Sequence, residues 1–296
     1  MDNAILFSLP QNETLGDGLT SQLGLSKGMA VFHDFPDGDV YVRIQSDVKN
    51  KVVIIVCSLQ YPNNKVLPLM FLARTAKELG AKKVILVAPY LPFMRQDKRF
   101  HAGEALSAEL FADFLSSFID SLIAVDPHLH RIKKLSEIYN LEYAQALHAP
   151  KLIADWIQRH VKSPIIIGPD EESEQWVSKV AESCHAPYII NTKVRLGDKE
   201  VKITVPKIAD KSKTPVLVDD IISTGVSMEV AIKQLLAQGS EPPICIGIHG
   251  IFSENAEQRL LHAGAAEIIT CNTVLHTSNQ IDVTGLIAEN LALLLK

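Results

Sequence analysis

Eight short runs of apolar, mostly β-branched residues punctuate the chain, at 52–57, 84–88, 122–125, 165–167, 188–190, 216–218, 244–248 and 268–271. Each is continuous in apolar character and none alternates with polar positions. That is the pattern of strands buried on both faces, as in parallel sheets. Amphipathic stretches lie between several of them. The spacing predicts a helix over 105–118, with Leu106, Leu110, Phe114 and Leu115 on one face. It predicts another over 228–238, with Met228, Ile232, Leu235 and Leu236 on one face and Gly239 as the C-terminal cap. Strand and helix in alternation predict an α/β fold.

The two halves share a cadence. "KELGAKKVILVAPY" and "LLHAGAAEIITCNT" both read as helix, glycine turn and buried strand. "SLIAVDPH" and "PVLVDD" both end a strand on carboxylates. Two similar α/β domains follow, 1–147 and 148–296, joined near "LHAPKLIADW". Ligands of such sheets sit at the carboxyl ends of strands, so those ends are where chemistry is expected.

Composition adds exclusions. The 296 residues are 47% hydrophobic, enough for a large core. A net charge of −5 gives no push toward nucleic acid or acidic membranes. The four cysteines, Cys57, Cys184, Cys245 and Cys271, are far apart and form no CxxC pair. Three lie in apolar runs, so a reduced, cytoplasmic setting is expected. "MDNAILFSLP" has neither the basic start nor the apolar length of a signal peptide. No run approaches the ~20 apolar residues that cross a bilayer.

The most informative stretch is "PVLVDDIISTGVSM". A buried strand meets two aspartates, Asp219 and Asp220. A loop bearing Ser223, Thr224, Gly225, Val226 and Ser227 then opens a helix. The helix start supplies hydroxyls and backbone N–H groups for a phosphate. The carboxylates accept hydrogen bonds, which suits vicinal sugar hydroxyls or a metal carried by the ligand. A ribose 5-phosphate offers hydroxyls at one end and phosphate at the other. No Walker Gly-Lys-Ser/Thr or GxGxxG pattern is present in this stretch.

"VLVDDIISTGVSM" resembles the phosphoribosyl pyrophosphate loop shared by type I phosphoribosyltransferases and the ribose-phosphate pyrophosphokinase family. Other segments, in order, resemble the second family. In "HDFPDGDVYVRI", Phe35, Asp37, Gly38 and Asp39 match its N-terminal signature for ATP base and ribose, with Asp39 standing where the family more often has Glu. "APYLPFMRQDKRF" is similar to its "PY…RQD" segment, so Arg95, Gln96 and Asp97 are implied in ATP binding. "AVDPHLHRI" resembles its "VDLH" strand end, aligning His128 with the metal–ATP contact and leaving His130 as a rival two residues on. "IIIGPDEES" is similar to its "GPD", implying Asp170 as a Mg²⁺ ligand, with Glu171 where small residues are usual. "NTKVRLGDKEVKI" resembles its catalytic loop, matching Lys193 and Arg195, although those residues alone read as a basic hairpin with a Gly-Asp turn.

The resemblance implies two type I phosphoribosyltransferase-like domains, each a mainly parallel sheet flanked by helices. It implies transfer of the diphosphoryl group of ATP to the 1-hydroxyl of ribose 5-phosphate, giving phosphoribosyl pyrophosphate and AMP. Lys193 and Arg195 would be catalytic. Arg195, Asp219, Asp220 and 223–227 would hold the sugar phosphate, and His128 and Asp170 would hold Mg²⁺. It also implies a homo-oligomer with the ATP site near a subunit interface. Three alternatives stand beside it: a non-catalytic regulatory relative, a phosphoribosyltransferase that consumes the same metabolite, and an RNA-binding regulator. The first predicts loss of Lys193, Arg195 or the paired acids, and all are present. The second needs no ATP segments, and the third lacks a basic surface.

Overall fold

The computed structural model describes residues 3–195, 201–208 and 210–296, without the side chains of Glu172, 192–195 and 201–204. The chain folds as two compact units. One holds the residues up to Leu147 together with Thr284–Lys296, and the other is His148–Val283.

The first unit runs β1 (Ala4–Ser8), α1 (Glu13–Leu23), β2 (Ser26–Lys27), β3 (Ala30–Asp34), β4 (Val40–Ile44), β5 (Val52–Val56), α2 (Val66–Glu78), β6 (Lys83–Ala88), α3 (Ser107–Ser116), β7 (Ser121–Val125) and β8 (Tyr143–Leu147). Six strands form a parallel sheet in the order β2-β1-β5-β6-β7-β8. β3 and β4 form a separate antiparallel hairpin. The inner strands are buried on both faces, as their unbroken apolar runs require. α2 buries Leu69, Leu72, Ala73 and Ala76, a helical stripe of the usual spacing.

α3 differs from its predicted face. Its buried residues are Ala108, Phe111, Ala112 and Leu115, whereas Leu110 is 59% exposed. Ala108, Phe111, Ala112 and Leu115 belong to the core of this unit, and Phe114 packs partly against it.

The second unit runs α4 (Pro150–His160), β9 (Pro164–Gly168), α5 (Glu174–Cys184), β10 (Tyr188–Ile190), β11 (Thr192–Arg195), β12 (Val201–Thr204), β13 (Thr214–Ile222), α6 (Val226–Ala237), β14 (Ile244–Gly250), α7 (Ala256–Ala263), β15 (Glu267–Cys271) and β16 (Asn279–Ile281). Its parallel sheet has the order β10-β9-β13-β14-β15-β16, the same topology as the first. Met228, Ile232 and Leu235 of α6 are buried as predicted, and Gly239 takes a left-handed φ of 77° just past the helix.

The final helix, α8 (Thr284–Leu294), groups with the first unit, although the predicted boundary assigns 284–296 to the second domain. It approaches α1 at Gly18, where a Cβ would stand 2.9 Å from Cγ2 of Thr284. A second difference concerns β13. The strand does not end at the aspartates but continues through both to Ile222. In each sheet, chain order reverses between the first strand and its inner neighbour, at β1/β5 and at β9/β13. Ligands of open parallel sheets bind outside the carboxyl ends at such a switch point.

Candidate functional site

The switch point of the second unit is lined with acids. β9 delivers Asp170 two residues past its end, and β13 delivers Asp219 and Asp220. Asp220 is 3% exposed, whereas Asp219 is partly exposed. Oδ1 of Asp219 accepts the backbone N–H of Asp220 at 3.0 Å. Burial pushes the Asp219 carboxyl well above the usual range, and the charges of Asp220 and Asp170 push it further. Three carboxylates that sense one another around a crevice attract hydroxyls and cations.

β13 then feeds Ser223, Thr224, Gly225, Val226 and Ser227 into the start of α6. Gly225 takes φ 72° at the N-cap, and no side chain caps the helix there. A Cβ on Gly225 would stand 3.3 Å from Leu260 and 3.4 Å from Ala256. The first-turn N–H groups of a helix have no partner inside it, so this turn can receive a phosphate. Of the sugar-phosphate residues foreseen in the sequence, Asp219, Asp220 and 223–227 lie on one strand, one loop and one helix start, whereas Arg195 lies on β11.

Two neighbours were not foreseen. Oγ of Ser253 lies 3.4 Å from Oγ of Ser223. Its loop is tied to β13, because the N–H groups of Ile251 and Phe252 both donate to the carbonyl of Ile222, at 3.0 and 3.1 Å. Phe252, Glu254 and Asn255 all have left-handed φ, between 50° and 59°. Strained backbone of this kind collects at functional sites. His249, 1% exposed, contacts Oγ1 of Thr273 at 2.9 Å through Nδ1. That hydroxyl donates to the carbonyl of Ile248, so the ring nitrogen is the donor. The sequence signal for these residues is their place at and just after the end of a buried strand, in "GIHGIFSEN".

Lys193 and Arg195 fall on β11, which pairs antiparallel with β12 so that Lys193 faces Ile203 and Arg195 faces Val201. The described backbone thus forms the two paired strands of the hairpin that their sequence suggests. Their side chains, and the Gly197-Asp198 turn between the strands, lie outside the described residues.

In the first unit, the "RQD" loop follows β6 and the "VDPH" loop follows the adjacent β7. Oε1 of Gln96 accepts the hydroxyl of Ser107 at 3.1 Å, pinning the loop to the start of α3. Arg95 is exposed. Asp97 is paired with Arg131, so the two loops are joined. His128 and His130 are both half-buried in the second loop. Phe35, Asp37, Gly38 and Asp39 form the tip of the β3–β4 hairpin, where Phe35 N–H donates to the Asp39 carbonyl at 2.8 Å. Gly38 supplies φ 92° there, and the Phe35 side chain is 45% exposed.

Among the described residues, no three His, Cys, Asp or Glu side chains form a metal cage. A Mg²⁺ ion needs none: it favours one or two carboxylates plus substrate phosphates and water. Asp170 beside Asp219 and Asp220 fits that demand. His128, a nitrogen donor, fits it only through a metal-bound water or phosphate.

Comparison with known proteins identifies the family. A family model described as the N-terminal domain of ribose phosphate pyrophosphokinase matches residues 4–118. A phosphoribosyl transferase domain model matches 141–286. The chain is 33% identical to a ribose-phosphate pyrophosphokinase of Saccharolobus solfataricus over 264 residues, 88% of this chain and 89% of that one. It is 30% identical to one of Methanopyrus kandleri over 285 residues, 96% and 97% of the two chains. A solved phosphoribosylpyrophosphate synthetase of Mycobacterium smegmatis shares the fold, with a TM-score of 0.86, 24% identity and 99% of both chains covered. Among the described residues, no helix is long and apolar enough to cross a membrane. Members of the family thus matched generally use a metal ion. With both halves matched by family models and relatives aligned along almost the whole chain, this protein belongs to the ribose-phosphate pyrophosphokinase family.

Proposed function

We propose that the chain transfers the diphosphoryl group of ATP to the 1-hydroxyl of ribose 5-phosphate, forming phosphoribosyl pyrophosphate and AMP. The observation that carries this reading is the acid pair Asp219–Asp220, leading directly into a hydroxyl-bearing loop and an uncapped helix start. Hydroxyl acceptors and a phosphate cradle stand at the two ends of one short path. That suits a phosphorylated pentose.

Asp219 and Asp220 accept hydrogen bonds from ribose hydroxyls, and 223–227 enclose the 5-phosphate. The sugar 1-hydroxyl gives up its proton to water as its oxygen attacks the β-phosphorus of ATP. The bond from that phosphorus to the oxygen bridging the α-phosphate breaks, and AMP leaves with the electron pair. Lys193 and Arg195 meet the negative charge building on the bridging oxygen. Such transfers ask the protein mainly for positioning and charge stabilisation. Arg95 and Gln96 form the wall of the ATP site. Asp170 would hold Mg²⁺ through its carboxylate and His128 through a metal-bound water or phosphate, and the ion would supply positive charge to offset that of the phosphates.

The hairpin tip with Phe35, Asp37, Gly38 and Asp39 completes the ATP site of a neighbouring copy in a homo-oligomer. The outward face of the hairpin supports this, because Met29, Val31, Phe35 and Tyr41 are exposed apolar side chains on or beside it. Four cysteines that form no disulfide, three of them buried, fit a reducing cytoplasmic setting.

Phosphorus NMR of a reaction with ATP, Mg²⁺ and ribose 5-phosphate tests the chemistry. The β- and γ-phosphorus signals of ATP should move together into a diphosphate on the sugar, leaving AMP. Release of ADP and a singly phosphorylated sugar would exclude diphosphoryl transfer.

A further inference from the structure

The loop after β7 has no regular secondary structure from Asp126 to Lys134, yet it carries both His128 and His130. Its shape therefore depends on a few anchors. At its start, Asp126 N–H donates to the Leu147 carbonyl at 2.8 Å, with φ 33° at Asp126. Leu129 and Ile132 pack partly into the core. Past the histidines, the anchor is Arg131. Its backbone N–H donates to Oδ2 of Asp97 at 3.0 Å, and its guanidinium Nη1 donates to Oδ1 at 2.7 Å. Both oxygens of Asp97 are thus engaged by one residue 34 positions away. The Asp97 side chain is 3% exposed, whereas that of Arg131 is 44% exposed.

We propose that Asp97 is a positioning residue that does not itself grip ATP: through Arg131 it fixes the segment bearing His128 and His130 against the loop bearing Arg95 and Gln96. A carboxylate with two engaged oxygens and almost no exposed surface has little to offer a ligand. Its neighbours do. Gln96 is tied to α3 by Ser107, and Asp97, one residue on, ties the next loop to the same frame. Burial alone would raise the Asp97 pKa, but the hydrogen bonds and charge of Arg131 outweigh it and hold the carboxyl below its usual range. It is therefore ionised wherever the enzyme works, and the clamp is a charge-assisted pair. Arg131 holds the same standing as a partner outside the reacting groups that orients those within.

The inference rests on the ATP reading above, and its test separates the two. Asp97→Asn, Arg131→Met, Arg131→Lys and the double variant Asp97→Asn/Arg131→Met are compared with the natural chain. Loss of an orienting partner typically weakens ligand binding or activity by about 10–100-fold. Asp97→Asn and Arg131→Met should each raise KM for ATP by roughly tenfold, with KM for ribose 5-phosphate unchanged. The double variant should be no worse than either single one, because both changes break one clamp. Arg131→Lys should recover part of the loss, since it keeps the charge without the planar fork.

A second readout needs no turnover. Amide hydrogen exchange over 126–132 should quicken in both single variants and stay unchanged in the second unit. If Arg131→Met left exchange and KM for ATP unaltered while Asp97→Asn abolished ATP binding, Asp97 would be a direct ligand and the proposal would fall. Should Asp97→Asn fail to fold, the exposed Arg131 carries the test alone. A natural chain that formed no AMP would sink the ATP reading, and the exchange result would still decide the clamp.

Discussion

Asp219 stands near the end of a buried strand with Asp220 and Asp170 beside it, and each neighbour opposes its ionisation. A carboxyl with a raised folded pKa favours folding while protonated. That contribution is present on the acid side and is lost as pH climbs from the usual carboxylate range through the raised value. Asp219→Asn mimics the neutral form. It should raise the melting temperature at neutral pH by about 1–3 °C, with the gain fading near pH 4. The same change should raise KM for ribose 5-phosphate. Equal melting temperatures at pH 7 would show that the acid cluster costs nothing. Lys193→Ala, by contrast, should lower kcat by ~10²–10³ and leave ATP affinity near normal, the scale for one donor that acts in the transition state. Turnover close to the natural value would remove Lys193 from the mechanism. These residues were legible in the sequence because ordered motifs announce them. Arg131 and Ser253 were not, because each matters through a partner far along the chain, Asp97 and Ser223.

Among the elements, the joint between β13 and α6 is the most constrained. Gly225 combines φ 72° with neighbours at 3.3 and 3.4 Å. A left-handed residue with a Cβ costs about 1–2 kcal/mol, before any crowding against Leu260. Gly225→Ala should therefore lower the melting temperature by several degrees and weaken ribose 5-phosphate binding, while KM for ATP holds. An unchanged KM for the sugar would separate this turn from the phosphate. α3 gives a test of packing. Leu115→Ala should cost about 2–5 kcal/mol, and Leu110→Ala less than about 0.5 kcal/mol. Periodicity located this helix and its buried Leu115, but it included the exposed Leu110 and missed Ala108 and Ala112, because small alanines carry little weight in a hydrophobicity pattern. The short strand β1 was invisible for a related reason. Four apolar residues and a serine carry no period that distinguishes strand from helix, and only pairing with β5 decides.

At the scale of the whole molecule, two sheets of identical order carry unlike chemistry. In the second unit the switch point holds three carboxylates. In the first, Asn12 fills it: Oδ1 accepts the Ser58 N–H at 2.7 Å, and Nδ2 donates to the carbonyls of Leu9 and Pro10. One crevice is left to a ligand and the other is stitched by its own side chain. The repeated topology was legible as a shared cadence of helix, turn and strand. The return of α8 to the first unit was not, since its apolar residues suit either core. The account's central claim is sugar-dependent splitting of ATP between its α- and β-phosphates. The most direct measurement is the initial rate of AMP release from ATP and Mg²⁺, with and without ribose 5-phosphate. The account predicts AMP that appears only with the sugar, in equal amount to phosphoribosyl pyrophosphate, with little ADP or free phosphate. A folded chain that binds ATP and releases no AMP when the sugar is added would contradict it.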